Sequence, residues 1–99
     1  MIILFDYELA KEAVEIGVGK VVTRDGYEVT EISSEDSSDP TYPLSGYIEF
    51  CDYPVYNTWT EDGKYNIEKN KHDYDLFLEI NDSTLWFRIC KRDYRSKYL

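Results

Sequence analysis

KVVTRDGYEVTEI, residues 20–32, is the stretch on which the fold turns. Two short runs of β-branched and aromatic residues flank Arg24-Asp25-Gly26. Asp-Gly between such runs is the strongest short-range hairpin signal, because the primed turn that joins two strands needs positive φ, which glycine adopts without steric penalty. The expectation is strands over 20–23 and 27–32 with a type I′ turn between them. TWTEDGKYNIE, residues 58–68, repeats the device at Asp62-Gly63, with strands expected over 55–60 and 64–68.

Downstream, residues 74–80 carry the cleanest alternation in the chain. Tyr74, Leu76, Leu78 and Ile80 face one way, and Asp75, Phe77 and Glu79 the other. Asn81-Asp82-Ser83 is expected to turn this strand back into residues 85–91, where Leu85, Phe87 and Ile89 alternate with Trp86, Arg88 and Cys90. Burying such groups is worth ~1.5–3 kcal/mol each, enough to set the register of a third hairpin.

Upstream, residues 1–5 (MIILF) read as a short buried strand or an apolar lead-in. Asp6 is an expected N-cap for a helix over YELAKEAVEI, residues 7–16, with Leu9, Ala13 and Ile16 on one side and Gly17 and Gly19 stopping it. Residues 33–43, SSEDSSDPTYP, form a flexible polar loop without periodicity. From Gly46 onward Ile48 and Phe50 alternate against Tyr47, Glu49 and Cys51, and Pro54, which cannot donate to a ladder, marks a break or an edge position. EKNKHD, residues 68–73, is a charged turn, and residues 93–99 form a basic C-terminal tail.

Six or seven short strands with frequent turns define a mainly β (α+β) single domain over residues 1–99. We expect a small antiparallel sheet, rolled into a partly closed barrel, with the short N-terminal helix against it; an open sheet with the helix on one face is the alternative.

The chain of 99 residues carries ten Tyr, four Phe and two Trp, a ring density suited to strands and a small β core. Its net charge is −9, and the sign is unfavourable for direct binding to nucleic acid or to anionic membranes. The charge is uneven: residues 1–82 hold nineteen acids and six bases, residues 83–99 one acid and five bases. Cys51 and Cys90 lie in separate strand-like runs, not in a CxxC pattern, and read as buried free thiols. MIILF is too short for a signal-peptide apolar region and lacks a basic flank, so a cytoplasmic, reducing setting is expected.

No catalytic constellation emerges. His72 is the sole histidine, in a charged turn where solvation is the simple reading. A Cys-His pair would need His72 to meet Cys51 or Cys90 in space. Glu35, Asp36 and Asp39 offer hard oxygens for Ca²⁺ but lack the glycine and distal glutamate of an EF-hand loop. Turn chemistry accounts for Asp25 and Asp62, and Gly17 and Gly19 lack the lysine of a phosphate loop. No metal, cofactor or enzymatic activity is expected.

The order of elements also carries a resemblance. Phe5 and Asp6 before a short helix, Thr23-Arg24-Asp25-Gly26, Pro43 before a strand, Trp59-Thr60-Glu61-Asp62-Gly63 and Asp75-Leu76-Phe77 resemble a widespread group of small proteins of tailed bacteriophages and prophages. The similarity covers most of the chain, and the order of short motifs, TRDG, then W-T-x-DG, then DLF, is its distinctive part. It implies a phage or prophage origin and action in the cytoplasm of a bacterial host, and it transfers no catalytic residue. The acidic loop and the basic tail depart from the pattern.

Two functional expectations follow. The first is a non-enzymatic accessory protein that binds a host or phage protein, with Tyr42, Tyr47, Tyr53, Tyr56, Glu35, Asp36, Asp39 and Arg24 as contacts. Tyrosine joins apolar area to a polar tip, and carboxylates spread on a rigid sheet can mimic the phosphates of duplex DNA, as an inhibitor of a host defence would need. The alternative is a small-molecule or nucleotide binder whose ligand sits in a barrel mouth among Trp59, Tyr65 and Trp86. Arg24, at a hairpin tip, suits a structural role or a partner contact.

Overall fold

The structure, a computed structural model, describes residues 1–81. In chain order the elements are β1 (Ile2–Leu4), α1 (Tyr7–Glu15), β2 (Gly19–Thr23), β3 (Glu28–Ser33), β4 (Leu44–Glu49), β5 (Pro54–Trp59) and β6 (Leu76–Ile80). They build one six-stranded antiparallel sheet in the order β1-β6-β2-β3-β4-β5. The domain is mainly β with one short helix among the described residues, as expected, and the sheet is not closed: among those residues β1 and β5 are its edges. Among the described residues no helix is long and apolar enough to cross a membrane.

The alternation in residues 74–80 settles the middle of this sheet. Leu76, Leu78 and Ile80 are buried, while Phe77 and Glu79 on the opposite face are half-buried. β6 pairs with β1 on one side, Ile3 opposite Leu78, and with β2 on the other, Val21 opposite Leu78. Both edges of β6 are therefore taken by strands from the start of the chain. The expected third hairpin through 85–91, together with Trp86, Cys90 and the tail 93–99, lies outside the described residues.

β1 and β2 flank β6 and run parallel to each other, so α1 serves as the crossover of a split βαβ unit. Asp6 caps the helix as expected, its side chain accepting from Leu9 N at 3.1 Å. The buried stripe is Leu9, Ala10 and Ala13; Ile16, expected on that face, is the C-cap and is 41% exposed. The helix ends where Gly17 takes φ +80° and Val18 N donates back to Ala13 O at 2.9 Å. Against this stripe the sheet packs Val21, Val29, Ile48, Leu78 and Trp59 into one core.

Both Asp-Gly turns form, but neither is the two-residue type I′ turn. In the first, Gly26 N donates to Thr23 O at 2.9 Å, Thr23 N to Tyr27 O at 2.8 Å, and Tyr27 N to the Thr23 hydroxyl at 3.1 Å. Only Gly26, at φ +95°, is left-handed; Asp25 is not. This is a three-residue loop in which the glycine makes a bulge, one of the next commonest hairpin closures. The second turn repeats it: Gly63 N to Thr60 O, Thr60 N to Lys64 O and Lys64 N to the Thr60 hydroxyl, each 2.9 Å, with Gly63 at φ +87°.

The strand expected over 64–68 does not form. After the second turn residues 64–75 run as an irregular segment that returns to the sheet only at β6. β3 and β4 register Thr30 with Tyr47 but Ser33 with Ser45, one residue more on β3, and Glu31 absorbs the difference at φ 54°. In sequence Tyr27 and Val29 fall on one face of this run and Thr30 and Ile32 on the other, and the bulge accounts for that imperfect alternation. Cys51, expected to be buried, lies exposed in the bend between β4 and β5.

Candidate functional site

Thr23-Arg24-Asp25-Gly26, Trp59 to Gly63 and Asp75-Leu76-Phe77 are far apart in sequence and meet in space around Asp75. This carboxylate is 6% exposed although it occupies an outward position of the alternation. One oxygen accepts from Tyr65 N at 2.9 Å; the other accepts from His72 N at 2.9 Å and from Arg24 Nη2 at 3.2 Å. Burial alone would raise the Asp75 carboxyl. The two backbone amides and the Arg24 guanidinium outweigh it and hold the group below its ordinary value of 3.8.

Both turns serve this carboxylate. Arg24 N and Asp25 N in the first turn donate to the carbonyls of Asp75 and Asp73, and Arg24 Nε donates to His72 O. From the second turn Gly63 O accepts from Leu76 N at 2.8 Å, and Phe5 and Leu76 fill the space that a Cβ at Gly63 would need. The Arg24 guanidinium also sits 4.9 Å from the centre of the Phe77 ring, a cation–π contact. Phe5, Thr23 to Gly26, Gly63 and Asp75 to Phe77 thus form one structural knot. Arg24 is engaged within it.

His72 is not a solvated turn residue. Its ring stacks 4.4 Å from that of Tyr65, and its Nδ1 accepts from Tyr74 N at 3.0 Å. Trp59, expected in a ligand mouth, is fully buried, with its indole N–H donating to Tyr74 O at 2.7 Å. A side chain of that volume with its one donor satisfied is core, and no ligand reaches it. Trp86 lies outside the described residues, and Tyr65 lines a cavity.

That cavity is a cleft of about 350 Å³ beside edge strand β5, lined by Tyr42, Tyr56, Asn57, Thr58, Tyr65 and Asn66. Its three rings are each held from outside. The Tyr42 hydroxyl accepts from Ile67 N at 3.2 Å, Tyr56 packs edge-on against Tyr47 at 5.6 Å, and Tyr65 is fixed by His72 and by Tyr74 at 5.3 Å. One amide hydrogen of Asn57 is committed to Val55 O at 3.2 Å, which leaves its second N–H and its carbonyl oxygen. Among the described residues no lining side chain carries a charge.

The acidic loop, residues 34–43, folds around one wall of this cleft. The Ser37 hydroxyl donates to Tyr42 O at 2.7 Å, Tyr42 N donates to Asp39 O at 3.2 Å, and Thr41 N donates to the Asp39 carboxylate at 2.9 Å. Tyr42, Tyr56 and the loop that bears Glu35, Asp36 and Asp39 thus share one end of the sheet, with Tyr47 behind Tyr56. Tyr53 stands 62% exposed just before β5. Sequence reasoning did not single out Asn57, Thr58 or Asn66 for this cleft, nor Asp75 for the knot. Asn57 and Thr58 are ordinary strand residues, and only the return of residues 64–68 alongside β5 makes them a wall.

The fold and cleft define a small α+β domain with a tyrosine-lined edge. No protein-family model, curated protein or solved structure matches the chain.

Proposed function

We propose that this chain is a non-enzymatic phage or prophage accessory protein that binds a protein of its bacterial host, or of the phage, through the tyrosine cleft and the carboxylates beside it. What supports the reading is the cleft itself: three tyrosines held by contacts outside it, so that little side-chain freedom is lost when a partner docks. The origin and the host cytoplasm rest on the resemblance in motif order. The net charge of −9 favours a basic partner surface, such as the nucleic-acid-binding face of a host enzyme or defence protein, over nucleic acid itself.

The small-molecule alternative is less well supported. Trp59 is in the core, and among the described residues the lining offers no cation to a nucleotide phosphate.

Capture from bacterial host lysate on the immobilised full chain tests the reading. A saturable protein is expected that is retained by the wild type, lost from Tyr56→Ala, and released steeply as salt rises, with duplex DNA competing for it. A partner set identical for wild type and Tyr56→Ala, or no saturable partner, overturns it.

A further inference from the structure

We propose that the tyrosine cleft is the receptacle for an arginine side chain of the partner; this rests on the partner-binding reading above. Three tyrosines, Tyr42, Tyr56 and Tyr65, line it together with Asn57, Thr58 and Asn66, so the described lining joins aromatic rings to uncharged polar groups. An aromatic-walled cleft of this kind attracts a cation through the negative faces of its rings.

The surroundings carry the same sign. The loop that holds Tyr42 bears Glu35, Asp36 and Asp39, and Tyr42 N is bonded to the Asp39 carbonyl. Lys64 neighbours Tyr65 in sequence but does not line the cleft. An anionic side chain would meet the field of the acidic body with no counter-charge among the described lining residues, whereas a cation gains from both.

Arginine fits better than lysine. Its guanidinium is planar, more weakly hydrated and stacks on a ring, and its five N–H donors match several separated acceptors. Lysine would surrender a tightly held hydration shell to the same flat walls. About 350 Å³ lies at the small end of ligand pockets, room for a side chain and the short backbone that carries it.

The test uses the full ¹⁵N-labelled chain and three acetylated, amidated tripeptides, Gly-Arg-Gly, Gly-citrulline-Gly and Gly-Lys-Gly. Citrulline keeps the shape of arginine and removes the charge. Saturable amide shifts are expected at Tyr42, Tyr56, Asn57, Thr58, Tyr65 and Asn66 with the arginine peptide. The citrulline peptide should bind about fivefold more weakly or worse, and Tyr56→Ala should weaken the arginine peptide by about as much. Core amides such as Val21 and Leu78 should keep their positions in the variant.

Equal binding of the citrulline or lysine peptide overturns the proposal, as does the absence of saturable shifts at the cleft or binding that Tyr56→Ala leaves unchanged. If the arginine preference fails while a lysate partner is still lost from Tyr56→Ala, the interface stands without its arginine. Loss of both removes the interface as well.

Discussion

The turns at residues 23–26 and 60–63 are built alike and placed differently. Each has threonine first, aspartate third and a left-handed glycine fourth, and each closes with the same three hydrogen bonds. The first projects from the sheet: Arg24, Asp25 and Gly26 are exposed, and nothing stands within 4 Å of where a Gly26 Cβ would be. The second is driven into the fold: Gly63 is buried, and a Cβ there would meet Phe5 Cδ2 at 2.8 Å and Leu76 Cβ at 3.1 Å. Identical local chemistry thus makes a hairpin tip in one place and a packing surface in the other. In the second the glycine serves two ends, positive φ and close approach.

The largest effect should fall on that difference. Gly63→Ala combines left-handed strain with overpacking against Phe5 and Leu76 and should cost ~3 kcal/mol. Gly26→Ala carries the strain alone and should cost ~1–2 kcal/mol. Urea denaturation of both variants measures the gap; equal losses would mean that Phe5 moves aside freely and the contrast in packing has no energetic content.

Asp75 ties the two turns together, so its removal should come next. Asp75→Asn keeps the shape but loses the charge that accepts from Tyr65 N, His72 N and Arg24, at a cost of ~2–3 kcal/mol near neutral pH. The folded-state carboxyl titrates below its ordinary 3.8, so its contribution is complete above that value and is lost as the pH falls through the folded-state midpoint. Wild type and Asp75→Asn should therefore differ in neutral solution and converge in acid. Parallel stability curves down to about pH 2 would remove Asp75 from the acid limb.

How far these features could be read from the sequence follows from the range of the forces involved. Asp6 as a cap and Asp25-Gly26 and Asp62-Gly63 as turns are set by neighbours a few residues away, and the chain displays them. The turn subtype was misjudged because Asp-Gly fits the type I′ turn, whereas the threonine hydroxyl favours the bulged one by binding the amide four residues on. Alternation in 74–80 shows which residues share a face but says nothing of which strands lie alongside. The insertion of β6 between β1 and β2 was therefore hidden. Asp75 occupies an outward position of that pattern, and its burial is made tolerable by the amides of Tyr65 and His72 and by Arg24, brought from fifty-one residues away. The tyrosines were visible as interface residues, but the cleft joins Tyr42, Tyr56 and Tyr65 through a segment expected to be a strand. Trp59 was misassigned to a ligand mouth because an aromatic beside a turn reads the same whether it faces a cavity or fills the core.

The smallest expected effect isolates what the two turns share. The Thr23 and Thr60 hydroxyls each accept the amide four residues on, from Tyr27 N at 3.1 Å and Lys64 N at 2.9 Å, and both threonines are buried. Valine matches threonine in shape and cannot accept, so each amide loses its side-chain acceptor. Thr23→Val and Thr60→Val should each cost ~1 kcal/mol, read as a shift in denaturation midpoint without a change in slope. Matching losses would assign the threonine bond to the turn itself and leave the glycine as the point where surroundings enter. If Thr60→Val costs as much as Gly63→Ala, the buried turn depends on its whole hydrogen-bond set, and the division between local chemistry and context falls at the threonine instead.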